Sequence, residues 1–193
     1  MATLRLKLGG VGLFFVVVAI VIGASLVLGS SNNRGTDQPA LTPQEIAAAP
    51  KHLRANLSQA NQLIDTSIDS KLSELRGVPV VVNQWASWCP NCRSEFPFFQ
   101  RLSREFGDRV AFVGLDSQDD RDSAGDFLKQ YPVPYPSIYD PSASQATSIG
   151  GGQGWPTTIF FDRQGGVTYL RPGGYATLEQ LRADIRRYAL ASG

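Results

Sequence analysis

The longest apolar stretch of the chain lies near its N-terminus. Residues 8–28 form a run of 21 residues without a charged side chain. At about 1.5 Å of rise per residue, a helix of that length crosses a hydrocarbon core about 30 Å thick. Arg5 and Lys7 precede the run, and the positive-inside tendency then keeps the N-terminus in the cytoplasm. The pattern predicts a cytoplasmic segment at residues 1–7 and a single transmembrane anchor, or uncleaved signal, at residues 8–29.

A cleaved signal peptide is the alternative interpretation of this segment. Small residues at 23–25 and 29–31 suit a cleavage site. The apolar cores of signal peptides usually span about 7–15 residues, so the length of this run favours the anchor. In both cases we expect the rest of the chain to face an oxidising extracytoplasmic compartment, either bound to the cell membrane or secreted after cleavage.

Beyond the apolar run the pattern changes twice. Residues 30–43 are rich in Ser, Asn, Gly and Pro, which is typical of a flexible tether. Residues 44–61 form an N-terminal extension, in which residues 45–49 predict a short helix that is broken at Pro50. Residues 62–193 carry the apolar patterns of one folded domain and have a usual length for a single hydrophobic core.

Strand-like and helix-like patterns alternate within this domain. Residues 78–82 are apolar on both faces, as in a strand buried in a parallel or mixed sheet. Residues 91–106 place apolar side chains at helical spacing, and Pro97 is expected to bend that helix. The remaining predicted elements are strands at 62–64, 110–115 and 137–139, helices at 68–75, 123–131, 142–149 and 178–190, and a hairpin at 157–170. The order predicts a βαβ unit within an α/β fold.

The charge pattern gives no sign of a nucleic-acid partner. Without Arg5 and Lys7, the chain carries 16 basic and 17 acidic residues, which nearly balance. We interpret the charged run at residues 119–122 and the basic pair at 186–187 as solvated surface and helix caps, because neither is long enough to form a binding patch. We therefore expect no nucleic-acid binding.

The motif that carries chemistry is Trp-Cys-Pro-Asn-Cys at residues 88–92, which holds the only two cysteines of the chain. Two thiols separated by two residues at the start of a helix can close a disulfide. The helix N-terminus also favours the thiolate of the first cysteine, Cys89. The motif therefore predicts redox chemistry. An inert structural disulfide is the alternative, although so short a loop gains little stabilisation from chain entropy.

The sequence lacks the residues that the common metal and cofactor sites require. A structural zinc site usually takes four ligands, and beyond the two cysteines the sequence offers only His52. Haem attachment requires a His directly after the second cysteine, where this chain has Arg93. The glycines at 150–152 and 173–174 lack the spacing of a dinucleotide-binding motif. We expect no metal and no bound cofactor, only a redox-active disulfide between Cys89 and Cys92.

Two segments resemble membrane-anchored thiol-disulfide oxidoreductases. The sequence Val-Asn-Gln-Trp-Ala-Ser-Trp-Cys-Pro-Asn-Cys-Arg-Ser-Glu-Phe-Pro at residues 82–97 resembles the TlpA/ResA type, which includes the DsbE/CcmG proteins. The sequence Gly-Trp-Pro-Thr-Thr at residues 154–158, followed by an apolar strand, resembles the cis-proline loop of that family. The resemblance spans residues 62–190. It implies a thioredoxin fold, an α/β structure with a central mixed β-sheet flanked by helices.

The resemblance also implies roles for individual residues. Cys89 is expected to be an exposed nucleophile, and Cys92 a less exposed resolving thiol. Thioredoxins carry a buried Asp where this chain has Asn83, which cannot accept the proton of Cys92. Glu95, one helical turn beyond Cys92, matches a Glu of TlpA/ResA-type proteins and is the hypothetical proton-transfer residue. The alternative is that Glu95 is only a carboxylate favoured by the nearby helix N-terminus.

Further residues are expected to surround the cysteines. Pro156 is the candidate cis-proline, beside a backbone edge where an extended substrate can pair as an added strand; a simple tight turn is the alternative. Trp155 replaces the small or β-branched residue common in the family, and either narrows the cleft or only packs. We take Trp155 and Pro156 as candidate substrate-binding residues, and Trp88, Pro90 and Asn91, with Pro156, as support for the active site.

The leading functional hypothesis is an enzyme, a membrane-tethered reductase of extracytoplasmic protein disulfides. The resemblance implies apocytochrome c as a client, in cytochrome c maturation, and a membrane thiol protein as the electron donor. Two alternatives stay open: an oxidase that introduces disulfides into secreted proteins, and a non-enzymatic module that docks clients and uses its thiols as a redox switch. The residues between the cysteines do not decide the direction, because the potentials of such pairs span about 150 mV.

Overall fold

The computed structural model describes residues 41–191. The predicted cytoplasmic segment at residues 1–7, the predicted anchor at 8–29 and most of the tether at 30–43 lie outside the described residues. Among residues 41–191, no helix combines the length and the apolarity that a membrane crossing requires.

Helices and strands follow one another in the predicted order, with one helix, at residues 51–58, that was not predicted. The helices are α1 (Pro43–Ala48), α2 (Lys51–Ser58), α3 (Ile68–Glu74), α4 (Pro90–Phe106), α5 (Arg121–Gln130), α6 (Ser144–Ser148) and α7 (Leu178–Asp184). The strands are β1 (Leu63–Ile64), β2 (Val80–Trp85), β3 (Ala111–Ser117), β4 (Ser137–Asp140), β5 (Thr157–Phe161) and β6 (Val167–Pro172). Each predicted element has a counterpart, with ends that differ by a few residues.

Polar side chains explain where several helices begin. Ser67, Asp120 and Thr177 accept backbone N–H groups in the first turns of α3, α5 and α7. Each side chain satisfies a donor that the helix itself leaves free. Pro50 separates α1 from α2, as predicted. Pro97 lies inside the continuous helix α4, and the bend expected there stays a prediction.

The predicted bounds of strand β2 are wrong. The apolar run suggested residues 78–82, whereas the strand covers residues 80–85. Pro79 has no N–H group to contribute to the ladder, which delays the start of the strand. Asn83 and Gln84 are polar but buried, and they pair with β3 on one side and β5 on the other. Backbone pairing therefore extends the strand beyond the end of the apolar run.

The last predicted helix is not one α-helix over residues 178–190. α7 ends at Asp184, and the chain continues as a π-helix over Ile185–Leu190. The N–H of Ala191 donates to the carbonyl of Arg186, five residues earlier. The hydroxyl of Thr168 donates to the carbonyl of Tyr188 at 2.7 Å. A side chain from β6 thus bonds to a helical carbonyl, which is a recognised cause of a locally altered helix.

The six strands form one mixed sheet in the order β1-β4-β3-β2-β5-β6. β1, β4, β3 and β2 are parallel neighbours, whereas β5 runs antiparallel to β2 and β6 antiparallel to β5. Gln84 of β2 pairs with Leu115 of β3 and with Thr157 of β5. The C-terminal end of β2 and the N-terminal end of β5 therefore lie next to each other at the same end of the strands.

Apolar side chains pack on both faces of this sheet. One cluster draws residues from α4, α5 and α7 and includes Trp85, Phe96 and Phe127. The rings of Phe96 and Phe127 meet edge to face with centroids 4.8 Å apart, and Phe96 lies 5.3 Å from Trp85. The other cluster draws residues from α2, α3 and α6, and it includes Leu53. The N-terminal extension is therefore packed into the core through α2.

Phe96→Ala tests the importance of the aromatic cluster for stability. We expect the free energy of unfolding to fall by about 3–5 kcal/mol, because the change removes a fully buried ring and leaves a cavity. Urea unfolding followed by circular dichroism measures this loss. Phe98→Ala, at a partly exposed position of the same helix, is the matched control and should cost clearly less. Equal losses in the two variants would contradict the account.

Candidate active site

The two cysteines lie where β2 passes into α4. Cys89 is the N-cap residue of α4, and its Sγ atom accepts a hydrogen bond from the backbone N–H of Cys92 at 3.0 Å. Pro90 occupies the first helical position, where its missing N–H is tolerated. The two sulfur atoms are joined in a disulfide. The predicted pairing is confirmed, and it lies at the positive end of the helix dipole.

The expectation that Cys89 is exposed is wrong for the disulfide-bonded form. Cys89 is 2% exposed and Cys92 is 0% exposed. The Sγ atom of Cys89 is bonded to a buried sulfur and accepts the first-turn N–H, so the start of the helix covers it. Trp88, Pro90 and Asn91 are exposed around it. These three residues therefore form the exposed surface next to the buried disulfide.

The loop before the motif is held by an acidic residue that the sequence analysis placed in a solvated run. Asp119 accepts hydrogen bonds from the backbone N–H of Ser87 and from its hydroxyl, the latter at 2.8 Å. Asp119 is partly buried, whereas its neighbour Asp120 caps α5 as interpreted. Ser87 and Asp119 are 32 residues apart, so no local pattern predicts their contact. It fixes the path of the chain into the redox motif.

Two tryptophan side chains form an aromatic wall beside the motif. The rings of Trp88 and Trp155 have centroids 5.4 Å apart. Their N–H groups donate to the carbonyls of Gln118 at 2.8 Å and Ser117 at 3.1 Å. Trp88 is nevertheless 53% exposed, while Trp155 is partly buried. Both indoles are anchored at the C-terminal end of β3, Trp155 to its last residue and Trp88 to the residue that follows.

Pro156 directly precedes β5, at the same end of the strands as the cysteines. The Trp155–Pro156 peptide bond is cis, as predicted, and Pro156 is buried. Its carbonyl accepts a hydrogen bond from the N–H of Gly173 at 2.8 Å. The next residue, Thr157, pairs with Gln84 near the end of β2. The cis-proline thus lies beside the strand that leads to the cysteines.

Glu95 lies one turn beyond Cys92 on α4 and is fully buried. Its Oε2 atom accepts a hydrogen bond from the backbone N–H of Tyr175 at 3.0 Å. Its Oε1 atom has no hydrogen-bond partner among the described residues. Burial raises the pKa of Glu95 from 4.5 to about 8, against the opposing effects of the Tyr175 N–H and the Arg171 charge. The carboxyl is therefore mostly protonated at neutral pH.

A second buried carboxyl lies on β3 and was not predicted from the sequence. Asp116 on β3 is 0% exposed. Burial raises its pKa to about 9, and the nearby carboxylates of Asp119 and Asp140 add to the rise. An acidic residue directly after an apolar strand pattern is the signal that could have found it. Asn83, where thioredoxins carry a buried Asp, is 1% exposed on the neighbouring strand β2.

The redox-active group that the site contains is the disulfide itself. Across residues 41–191, no group of three or more His, Cys, Asp or Glu side chains is arranged to hold a metal ion. A disulfide accepts two electrons and two protons when it is reduced to a dithiol. The arrangement can therefore exchange electrons with other thiols through the Cys89–Cys92 pair.

Comparison with known proteins agrees with this chemistry. The family model described as Redoxin matches residues 57–185. The chain is 34% identical over 144 residues to the thiol:disulfide interchange protein DsbE of Allochromatium vinosum, which covers 72% of this chain and 75% of that protein. It is 29% identical over 160 residues to the protein of the same name from Escherichia coli K12, with 81% and 82% covered.

Solved structures show the same architecture. A secreted thiol-disulfide isomerase from Corynebacterium glutamicum matches with a TM-score of 0.55 and 33% identity, over 62% of this chain and 73% of that chain. A DsbF homologue from Corynebacterium diphtheriae matches with a TM-score of 0.52 and 32% identity, over 60% and 75%. These matches confirm the thioredoxin-like fold. The chain therefore belongs to the Redoxin family and is a thiol-disulfide oxidoreductase similar to the DsbE proteins, with Cys89 and Cys92 as its redox pair.

Proposed function

We propose that the protein reduces disulfides of extracytoplasmic proteins. The observation that carries this proposal is the buried carboxyl of Glu95, one turn beyond a redox motif whose intervening residues, Pro90 and Asn91, carry no charge. A strongly oxidising pair is one whose reduced form is stabilised, and a cation beside the thiolate gives such stabilisation. The buried acid Glu95 and the uncharged residues Pro90 and Asn91 stabilise the Cys89 thiolate less than a neighbouring cation would. They therefore favour the disulfide and make the dithiol a reductant.

The reaction consists of two thiol-disulfide exchanges. The Cys89 thiolate attacks a client disulfide, forms a mixed disulfide and releases one client thiolate. The Cys92 thiol then loses its proton, and the resulting thiolate attacks the Sγ atom of Cys89. This step closes the Cys89–Cys92 disulfide and releases the second client thiolate. The client gains two electrons, and the protein is left in the disulfide form until a donor dithiol reduces it.

Glu95 is the acceptor for the Cys92 proton in this mechanism. Cys92 is fully buried, so solvent has little access to its thiol. Once the proton has moved, it resides on Glu95 in the disulfide form, which is the form in which the pKa of Glu95 is raised to about 8. Oε2 is bonded to the N–H of Tyr175 rather than to the first turn of α4. That contact favours proton transfer over the alternative role of a carboxylate that only stabilises the helix.

Trp155 and Pro156 supply the edge at which a client binds. An extended client segment that pairs with the backbone before β5 would bring its disulfide to the end of β2, where the cysteines lie. The aromatic wall of Trp88 and Trp155 flanks this edge and offers apolar surface to the client side chains. The cis-proline therefore has a binding role in the proposal, beyond that of a tight turn.

The resemblance to DsbE/CcmG proteins extends the proposal to partners and location. We infer that apocytochrome c is a client and that a membrane thiol protein recharges the disulfide. The predicted anchor at residues 8–29 would hold the redox domain on the outer side of the cell membrane. One structural relative is described as secreted, which suits the alternative in which this segment is cleaved. Both routes place the redox domain outside the cytoplasm.

Cys92→Ser should trap the client. Without the resolving thiol, the mixed disulfide between Cys89 and the client persists. It is detected as a band on a non-reducing gel that disappears with dithiothreitol, and Cys89→Ser is the control that forms no such band. Apocytochrome c in the trapped band supports the proposed client. Undiminished client binding by a variant with both serines would instead support a docking module.

Glu95→Gln should slow the closing of the disulfide. We expect the decay of the mixed disulfide at pH 7 to slow by on the order of 100-fold, because the buried Cys92 thiol loses its proton acceptor. Stopped-flow fluorescence with a small disulfide substrate measures this rate. Glu105→Gln, which removes a carboxylate from the last turn of the same helix, is the matched control. Equal rates in wild type and Glu95→Gln would exclude the proton-transfer role.

Glu95 should also make stability depend on pH. Below pH 4.5 the Glu95 carboxyl is protonated in both the folded and the unfolded protein, so its contribution to the free energy of unfolding is fully present. Between pH 4.5 and about 8 only the unfolded state loses the proton, and stability falls by at most about 1.4 kcal/mol per pH unit. Urea unfolding of the oxidised protein measures the slope. Glu95→Gln should reduce the slope across this window and leave the similar contribution of Asp116, whose pKa is also raised; an unchanged slope would contradict the raised pKa of Glu95.

A further inference from the structure

A buried glutamine lies on the strand that leads to the cysteines. Gln84 of β2 is 0% exposed and stands five residues before Cys89. Side chains alternate between the two faces of a strand, so Gln84 lies on the same face as Val80 and Val82, which belong to the apolar cluster around Leu53. An amide in such surroundings costs free energy unless it is hydrogen-bonded. The contacts of Gln84 therefore indicate why a polar residue stands in the core.

The Gln84 side chain bonds to the loop that leads into β5. We call residues 150–154 the glycine loop, and it is followed directly by the cis peptide bond between Trp155 and Pro156. Oε1 of Gln84 accepts a hydrogen bond from the backbone N–H of Gly152 at 2.9 Å. Among the described residues this is the one hydrogen bond that the side chain makes, because Nε2 has no partner. The buried amide is therefore used to hold the glycine loop.

The glycine loop has no room for side chains where it passes this amide. A Cβ atom at Gly151 would collide with Oε1 of Gln84 and would lie 3.1 Å from the carbonyl oxygen of Ala146. The N–H of Gly151 donates to that carbonyl at 2.8 Å. Gly150 and Gly152 have φ values of +92° and +80°, which favour glycine. The three glycines thus let the backbone pass close to β2 in the path that the amide requires.

Gln84 holds the chain on both sides of the cis-proline. Before Pro156, its side chain bonds to Gly152. After Pro156, its backbone pairs with Thr157, whose hydroxyl in turn donates to the carbonyl of Gly154 at 3.0 Å. Because β2 continues toward the redox motif, one residue positions the glycine loop and the start of β5 against the strand that leads to the cysteines.

We propose that Gln84 is the positioning residue of the client-binding edge. The inference rests on the proposed binding role of Trp155 and Pro156. By holding Gly152, the amide sets the path of the backbone before Pro156, with which an extended client would pair as an added strand. Gln84 therefore acts on the binding of the client and not on the exchange within the redox pair.

Gln84→Met tests the role of the amide. Methionine has a similar length and volume but offers Gly152 no oxygen. We expect the second-order rate constant for reduction of a disulfide-bonded peptide to fall about fivefold, on the scale of one lost hydrogen bond. The rate constant for hydroxyethyl disulfide, which has no backbone to pair as a strand, should stay unchanged. Stopped-flow fluorescence of the reduced protein measures both.

Gln100→Met is the matched control. It removes the amide of another buried glutamine, whose Nε2 donates to the carbonyl of Pro132 at 2.8 Å. This contact lies outside the glycine loop, so neither rate constant should change. A purely structural role for Gln84 would lower the rate constants for both substrates or for neither.

Gly151→Ala tests the same contact from the glycine loop. Its added carbon displaces Oε1 of Gln84, so it should also slow the reaction with the peptide and spare the reaction with hydroxyethyl disulfide. Both changes disrupt one contact, so the double variant should lose less than the product of the two single effects.

The outcomes separate this inference from the proposed function. An equal loss for the two substrates, or unchanged peptide rate constants in both single variants, would overturn the role of Gln84 and leave the reductase proposal standing. A wild-type protein that shows no preference for the peptide, relative to dithiothreitol as the reductant, would refute the client-binding edge and this inference with it.

Discussion

The double pairing of strand β2 is the constraint on which the rest of the site depends. β2 is hydrogen-bonded to β3 along one side and to β5 along the other. α4, whose N-terminus carries the cysteines, connects β2 to its parallel partner β3, and the antiparallel partner β5 begins directly after the cis-proline. One strand therefore brings together the redox pair and the cis-proline, the proposed substrate-binding residue, which lie more than sixty residues apart in the sequence.

The burial of charge-bearing groups next to the disulfide determines its chemistry. Cys92 and Glu95 are both fully buried on α4, so in the proposed mechanism the proton of the thiol passes to Glu95 rather than directly to water. A buried carboxyl is stable when neutral and costly when ionised. The disulfide form therefore favours a protonated Glu95, and the proposed mechanism leaves the site in that state when the disulfide closes. This coupling of proton position to redox state links the fold to the proposed direction of electron flow.

The sequence predicted the elements and the redox pair because those signals are local. The apolar spacing of residues 91–106, the turn residues of the β5–β6 hairpin and the cysteine spacing each lie within a short stretch of chain. The predicted end of β2 was wrong because backbone pairing on both sides includes the polar residues Asn83 and Gln84 in the strand. The predicted last helix was wrong because its second half is a π-helix, to which Thr168 of β6 donates a hydrogen bond. Neither effect is visible in the apolar pattern.

The polar contacts of the site were missed for a related reason. Asp119 reaches Ser87, and Tyr175 reaches Glu95, across 32 and 80 residues. Only the folded sheet brings these pairs together. Long-range polar contacts thus mark the limit of sequence reasoning in this protein.

The reduction potential of the Cys89–Cys92 pair tests the central claim most directly. The intact protein is equilibrated with mixtures of oxidised and reduced glutathione or dithiothreitol, and the fraction of free thiols is measured at each ratio. A value near or below about −250 mV, toward the thioredoxin end of the scale, is the result that a reductase requires. A value near about −120 mV would mean that the disulfide is the reactive form, and it would contradict the proposed direction of electron flow.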